Sequence, residues 1–167
     1  MILKRFLQNY IPAQAGKMVD IETGNVIGDH SGIMYYTIGQ RKGLGIGGPG
    51  DAWFVVGKDY DKNVLYICQG DQKDWLYSTG ALITDVNWIA STKPIDKIAC
   101  NAKFRYRQPD NPIQLEFIDE DTVYLTFDKP IKAVTPGQAA VFYDGDICLG
   151  GGTIELSIKM GSLIKYL

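Results

Sequence analysis

From Ala81 onward the chain is a succession of short apolar runs separated by turn-forming residues. The runs cover residues 81–89, 97–107, 113–118, 122–127, 131–134, 139–143 and 146–155. The Asp144-Gly145 pair between two of these runs predicts a type I′ hairpin. Short strands at this spacing are typical of a closed antiparallel barrel, and we predict about six strands over residues 78–167.

Composition limits the protein class. The chain has 167 residues, of which 46% are hydrophobic and 22% charged, so it can form one ordinary domain or two small ones. No apolar run approaches the roughly 20 residues of a membrane helix, and no secretory signal precedes a cleavage site. Three widely spaced cysteines do not fit a disulfide framework. We therefore expect a cytoplasmic protein without a membrane partner.

The pattern of the first half of the chain predicts a small mixed α/β domain over residues 12–77. A short linker or helix over residues 1–11 precedes it. Residues 34–42 carry apolar side chains at helical spacing, and Gly43 follows as a C-cap. The overall fold class is mainly β, with this α/β domain followed by the barrel. Two hairpins are predicted from paired runs, namely residues 17–21 with 25–30 and residues 53–57 with 64–68.

The segment Gly43–Gly48 matches the pattern G-x-G-x-x-G. In dinucleotide-binding proteins this pattern follows a strand and opens a helix, so that the pyrophosphate meets the helix N-terminus. Here a predicted helix precedes it and Pro49-Gly50 follows. We interpret the segment as a turned connection rather than a nucleotide site.

Nucleophilic and metal chemistry have little support in the sequence. His30 is the only histidine, and Cys68 and Cys148 lie in apolar strands, where cysteine usually acts as a small hydrophobe. The carboxylates cluster in turns, where solvation is the ordinary role. We predict no catalytic residue and no metal site in this chain; a small enzyme using Cys148 and His30 is the alternative.

The segment from Cys100 to Gln108 combines cations with tyrosine. In a strand, Cys100, Ala102, Phe104 and Tyr106 would share one face, and Asn101, Lys103, Arg105 and Arg107 the other. Residues 93–107 hold five cations and one acid, whereas residues 116–128 hold five acids and no cation. This cation stripe suits phosphate contacts with base stacking. A solubilising edge strand explains the same pattern equally well.

Five segments together resemble the tRNA-specific 2-thiouridylases (the MnmA/TrmU family), in the right order and over nearly the whole chain. They are Phe6–Leu7 with Tyr10–Gln14, Gly28–Gly47, Arg105–Gln108, Ala133–Tyr143 and Cys148–Gly152. The long Gly28–Gly47 block, which contains Met34-Tyr35-Tyr36, is the most specific of them.

The resemblance implies a three-part enzyme that thiolates the wobble uridine of tRNA. An N-terminal ATP-pyrophosphatase domain activates the nucleoside with ATP, and two cysteines deliver persulfide sulfur. A small central domain and a C-terminal barrel similar to the second domain of elongation factor Tu help to hold the tRNA. This chain has no Ser-Gly-Gly-x-Asp-Ser loop, and neither catalytic cysteine maps onto its three cysteines.

The resemblance therefore implies a fragment that is inactive alone, with no cofactor of its own and ATP bound by the missing domain. Its partners would be tRNA, the ATP-pyrophosphatase domain and a persulfide donor protein. The family's tRNA contacts fall on Arg105, Tyr106 and Gln138. Lys103 and Arg107 are weaker candidates for the same role.

A second hypothesis is a protein-interaction module that docks the catalytic domain or a sulfur donor. It would use exposed apolar surface around Tyr35, Tyr36 and Trp53. Arg41 and Lys42 either line the path of the anticodon toward the catalytic domain or only solubilise the end of a helix. Both readings of these two cations stay open on the sequence.

Overall fold

The computed structural model of the protein describes residues 14–71, 73–89, 97–106 and 108–159. The chain divides between Leu76 and Tyr77 into two compact units, and each has its own cluster of buried apolar side chains. The described residues contain ten strands and two single-turn 3₁₀ helices, Ile33–Tyr35 and Asp74–Leu76. The predicted linker or helix over residues 1–11 lies outside the described residues.

The first unit is built on a four-stranded sheet with the strand order β2-β1-β4-β3. Its strands are β1 Gly16–Asp20, β2 Val26–His30, β3 Trp53–Asp59 and β4 Val64–Gln69. β1 and β4 are parallel, and the two hairpin pairs are antiparallel. Both predicted hairpins are confirmed. The first closes where Gly24, at a φ of 73°, donates its N–H to the Asp20 carbonyl over 2.8 Å.

The predicted helix over residues 34–42 is wrong. Only the single turn Ile33–Tyr35 forms, and Tyr36 is already extended, with φ −112° and ψ 150°. The Gly39 N–H then donates to the Val55 carbonyl of β3 over 2.7 Å. The segment therefore bonds to a neighbouring strand instead of to itself, and no helix ends at Gly43 for that glycine to cap.

This same irregular segment covers the sheet and completes the core of the first unit. The buried residues are Met18, Ile33, Tyr36, Ile38, Leu44, Val55, Leu65 and Ile67. Tyr36 is buried, and Tyr35 and Trp53 pack half-buried against this cluster. These three aromatic residues therefore do not form the exposed docking surface that the interaction-module hypothesis expected.

The second unit is a closed antiparallel barrel with the strand order β10-β5-β8-β7-β6-β9, which confirms the six-stranded prediction. The strands are β5 Tyr77–Trp88, β6 Ile98–Lys103, β7 Asn111–Phe117, β8 Val123–Lys132, β9 Ala139–Asp144 and β10 Ile147–Lys159. Two predicted runs, 122–127 and 131–134, overlap the single strand β8, which ends at Lys132, so Ala133 and Val134 lie beyond it. The barrel core is filled by alternate residues of these strands, with Phe142 fully buried beside Trp88.

The hairpin between β9 and β10 forms as predicted, with Asp144 paired to Ile147. Its turn type differs from the prediction. Gly145 is the first central residue and has a φ of 57°, whereas Asp146 is not among the residues with positive φ. This is the signature of type II′, in which glycine takes the first central position. The Asp144-Gly145 pair therefore predicted the hairpin correctly but placed Gly145 at the second central position of the turn instead of the first.

Candidate nucleic-acid interface

An open groove of about 440 Å³ lies on the outer wall of the barrel. It is lined by Lys103, Phe104, Arg105, Tyr106, Ala139, Val141 and Tyr143. The groove forms because β6 and β9 pair over only three residues of each strand, from Asn101 to Lys103 on β6. Beyond Lys103 the chain leaves the sheet while β9 continues, and the wall opens between them.

The position of β6 in the barrel tests the edge-strand explanation of the cation stripe. β6 pairs with β7 on one side and with β9 on the other. It is therefore not an edge strand, and protection of an exposed edge does not explain its cations. The strand also ends at Lys103 rather than continuing to residue 107.

The early end of β6 changes the orientation of Tyr106. Alternation holds through Phe104, which is buried, so Tyr106 was expected on the same inward face. Instead the chain bends, and the Gln108 N–H donates to the Arg105 carbonyl over 3.1 Å. Tyr106 is 94% exposed at this turn. A tyrosine ring so open to solvent contributes nothing to the core and can stack on a ligand.

Arg105 is exposed but held in a defined orientation. Its Nη2 donates to the Ala133 carbonyl over 3.1 Å, and the Thr135 hydroxyl donates to the same oxygen over 3.1 Å. Ala133 has a φ of 57°, a left-handed conformation that is uncommon for a residue with a side chain. The bend at Ala133 thus presents its carbonyl to Arg105 and orients the guanidinium beside the groove.

Lys103 has both an acidic and an aromatic neighbour. Its Nζ lies 3.2 Å from Asp110 Oδ1 and 5.3 Å from the centre of the Tyr143 ring. The ammonium is therefore partly compensated by a carboxylate before any ligand arrives. Lys103 shapes the groove, but its charge is less available to an anion than the sequence suggested.

Gln138 precedes Ala139 at the start of β9 and does not itself line the groove. Its backbone is fully used: the N–H donates to the Thr135 carbonyl over 3.2 Å, and its carbonyl accepts from Ile154 over 2.8 Å. The side-chain amide has no hydrogen-bond partner among the described residues. Arg107, the remaining predicted contact, lies outside the described residues.

Two protein-family models match the chain in order. Residues 4–69 match the tRNA methyl transferase PRC-barrel domain, and residues 78–154 match the aminomethyltransferase beta-barrel domain. The tRNA-specific 2-thiouridylases MnmA of Oceanobacillus iheyensis and Bacillus cytotoxicus are each 52% identical to the chain, over 163 and 164 residues. That of Geobacillus thermodenitrificans is 53% identical over 163 residues. The chain belongs to the tRNA-specific 2-thiouridylase family.

Each of these alignments covers 98% of the chain and 44% of the 2-thiouridylase relative. The chain thus spans less than half the length of the curated relatives that it matches. It corresponds to the central and C-terminal domains of the 2-thiouridylase family, and the two matched family models cover the first unit and the barrel.

Sequence reasoning missed two residues of the candidate site, namely Tyr143, which lines the groove, and Ala133, whose carbonyl accepts from Arg105. Tyr143 points outward from β9 on the same face as Val141, and simple alternation along β9 could have found it. Ala133 could not have been found, because nothing in the sequence marks an alanine for a left-handed conformation. Its contribution depends on how β8 ends against the rest of the barrel.

The surroundings of His30 and Cys100 do not favour catalysis by either side chain. His30 is buried, its Nδ1 accepts from the Gly32 N–H over 3.2 Å, and its Nε2 lies 3.1 Å from the Asn63 carbonyl. These partners require a neutral ring protonated on Nε2, and burial lowers the pKa of His30. Burial raises the pKa of the Cys100 thiol to about 11, which opposes thiolate formation.

Within residues 14–71, 73–89, 97–106 and 108–159, no group of three or more histidine, cysteine or acidic side chains is placed to hold a metal ion. The same part of the chain contains no helix that is both long enough and apolar enough to span a membrane.

Proposed function

We propose that this chain is the tRNA-holding part of a tRNA-specific 2-thiouridylase and that the barrel groove contacts the RNA. The observation that carries the proposal is the pairing of a 94% exposed tyrosine, Tyr106, with an oriented arginine, Arg105, at the mouth of an open groove. A tyrosine ring this exposed can stack on a base without first leaving a packed position. Arginine beside an aromatic residue is a common combination for binding RNA.

Arg105 binds a backbone phosphate in this proposal. The guanidinium presents its donors in a plane and can engage two phosphate oxygens at once. The hydrogen bond to the Ala133 carbonyl restricts the side chain before binding, so less conformational entropy is lost when the phosphate arrives. Phosphate contacts of this kind fix the position of the RNA without reading its sequence.

Tyr106 supplies the stacking surface for a base or ribose, and Gln138 supplies a neutral amide for hydrogen bonds to the same strand. Lys103 and, by prediction, Arg107 add positive potential around them. Because Lys103 already faces Asp110, we assign it a smaller share of the binding free energy than Arg105. Tyr143 supports the groove floor beneath Lys103.

The sulfur chemistry belongs to other parts of the enzyme in this proposal. ATP, the ATP-pyrophosphatase domain and a persulfide donor would supply activation and sulfur, and the chain alone would bind tRNA without thiolating it. The neutral, fully bonded His30 and the raised pKa of Cys100 support this division. We propose that the reaction takes place in the cytoplasm.

Titration of a labelled, unmodified tRNA transcript at two salt concentrations tests the proposal. We expect weak, salt-dependent binding with a dissociation constant on the order of 10⁻⁴ to 10⁻⁶ M. Arg105→Ala should weaken binding roughly tenfold and reduce the magnitude of the salt slope by about one. Lys129→Ala is the matched control, since it removes one exposed cation from β8 outside the groove lining.

Two results would contradict the proposal. One is an affinity for tRNA that does not change with salt or with Arg105→Ala. The other is an equal loss in Arg105→Ala and Lys129→Ala, because binding would then follow net charge rather than the groove.

A further inference from the structure

A second open groove, of about 410 Å³, lies within the first unit. It is lined by Arg41, Gly43 to Gly48, Gly50, Asp51, Ala52 and Trp53. We call the segment from Gly43 to Gly50 the glycine loop. Its far end is fixed by Gln69, whose Nε2 donates to the carbonyls of Pro49 and Asp51 over 2.9 Å each.

The glycine loop exposes its backbone. Apart from Leu44, which is buried in the core, and Ile46, which is half-buried, the loop residues are exposed. None of the peptide N–H groups from Gly45 to Gly48 donates a hydrogen bond to another described residue. The loop therefore offers backbone donors to a ligand while its two apolar side chains anchor it from below.

Gly47 is the most informative residue in the loop. Four other glycines here, Gly43, Gly45, Gly48 and Gly50, have positive φ values that explain their identity. Gly47 does not, and a Cβ built on it would meet no atom of the described residues within 4 Å. Neither a left-handed φ nor packing against the described part of the chain requires glycine at this position. A remaining physical reason for glycine is close approach of a ligand to the backbone.

The groove and its immediate flank carry two cations, Arg41 and Lys42, and one acid, Asp51. Arg41 lies in the groove and Lys42 is next to it in the chain, both exposed. The carboxylate of Asp51 is directed toward Gly70. If a Cβ were added to Gly70, it would lie 3.6 Å from Asp51 Oδ2. Half-buried Trp53 forms an aromatic wall. Backbone donors, a guanidinium and an indole together suit a phosphate that carries a sugar and base.

We propose that the glycine loop and Arg41 form a second RNA-backbone site, which takes a phosphodiester group of the bound tRNA. Loop N–H groups and the Arg41 guanidinium donate to the phosphate oxygens, and Trp53 contacts the attached nucleoside. This inference rests on the proposed function, because it needs the chain to bind tRNA. It assigns one of the two roles that the sequence left open for Arg41.

Gly47→Ala separates this inference from ordinary loop structure. The substitution adds one methyl group in open space and leaves charge and φ unchanged, so the thermal midpoint should be the same or slightly higher. Affinity for an unmodified tRNA transcript should fall on the order of tenfold, the equivalent of one backbone hydrogen bond. Arg41→Gln should lower the magnitude of the salt slope by about one.

Gly28→Ala is the matched control. Its φ also lies outside the left-handed region, and its Cβ would meet Met18 Cε at 3.5 Å and Ile46 Cγ1 at 3.9 Å, which are ordinary contacts. It adds the same methyl group beneath the loop rather than on its open face. The tRNA affinity of this variant should equal that of the unsubstituted chain.

The outcomes distinguish the two proposals. If the unsubstituted chain binds tRNA and Arg105→Ala weakens it, but Gly47→Ala and Arg41→Gln do not, the second site is wrong and the barrel groove stands. If the unsubstituted chain does not bind tRNA, the proposed function fails first. If Gly47→Ala leaves tRNA affinity unchanged but abolishes capture of the isolated ATP-pyrophosphatase domain, the loop is a protein-docking site and the RNA inference is overturned.

Discussion

The two units of this chain complete their hydrophobic cores in different ways. In the barrel, most core side chains come from strands, and closure of the sheet covers them on every side. In the first unit the sheet is open, and the irregular segment after β2 supplies Ile33, Tyr36, Ile38 and Leu44. The comparison teaches that a core can be equally buried whether its residues follow the period of a strand or no period at all.

The two grooves differ in a related way. The barrel groove is built from side chains, with Arg105 and Tyr106 at its mouth. The groove of the first unit is built mostly from exposed backbone in a glycine loop. Removing a side chain should therefore weaken tRNA binding at the barrel groove, whereas adding a methyl group to the backbone should weaken it at the glycine loop. The Arg105→Ala and Gly47→Ala experiments test this contrast directly.

Truncation in the barrel core should have the largest effect on stability. Phe142 is fully buried between strands that are paired on both sides, so its surroundings cannot collapse into the space that Phe142→Ala leaves. We expect a loss of about 3–5 kcal/mol in the free energy of unfolding. Hydrogen exchange of the barrel amides in increasing denaturant would measure it.

Ile147→Ala is the control for that measurement, because Ile147 is 68% exposed in the same hairpin. It should change the free energy of unfolding by no more than about 0.5 kcal/mol. Equal losses in Phe142→Ala and Ile147→Ala would show that the barrel is not held together by its interior.

Truncation in the core of the first unit, which an irregular segment completes, should reduce stability less than truncation in the barrel core. Ile38 is 5% exposed, but it lies on a segment without regular secondary structure, which can move inward. For Ile38→Ala we expect a loss of about 2–3 kcal/mol, at the low end for large-to-small changes. Exchange of the β3 and β4 amides would report it. A loss as large as that of Phe142→Ala would remove the distinction between the two cores.

The smallest expected effect on stability concerns His30, which ends β2 next to the core of the first unit. Burial lowers its pKa, outweighing the Asn63 carbonyl and the charge of Asp29, which raise it. The folded protein therefore binds this proton at lower pH than the unfolded chain does. The stability that depends on the neutral ring is fully present above pH 6.5, the ordinary histidine pKa. It is lost as the pH falls from there through the lower pKa of His30 in the folded protein.

His30→Gln should cost about 1–2 kcal/mol at pH 7.5, since it disturbs two buried hydrogen bonds. It should also flatten the dependence of the free energy of unfolding on pH between 7.5 and 5. Urea unfolding of both proteins across that range gives the two slopes. The assignment of a neutral buried ring is incorrect if the unsubstituted chain becomes more stable as the pH is lowered.

Much of the barrel could be predicted from the sequence, because most of its strands carry alternating apolar residues and its hairpin turns carry glycine, proline or a cluster of acidic residues. The two hairpins of the first unit were predictable for the same reason. The segment over residues 34–42 was not. Its apolar spacing is helical, but its hydrogen bonds go to Val55 of β3, and a local pattern contains no information about such a partner.

The candidate site was predictable in composition but not in geometry. Arg105 and Tyr106 were identified from charge, alternation and family resemblance. The exposure of Tyr106 was not, because alternation placed it inward. The end of β6 at Lys103 depends on how far β9 and β7 can follow it, which is a property of the closed barrel.

A β-barrel preceded by a smaller unit, and a place in the tRNA-specific 2-thiouridylase family, could be inferred from the amino-acid sequence alone. Both conclusions rest on short-range information, namely side-chain period, turn residues and contiguous motifs. The ends of the strands, the loop that completes a core and the carbonyl that orients Arg105 became evident only in the folded protein. Those features depend on contacts between residues far apart in the chain, since a strand ends or a side chain orients according to what lies beside it.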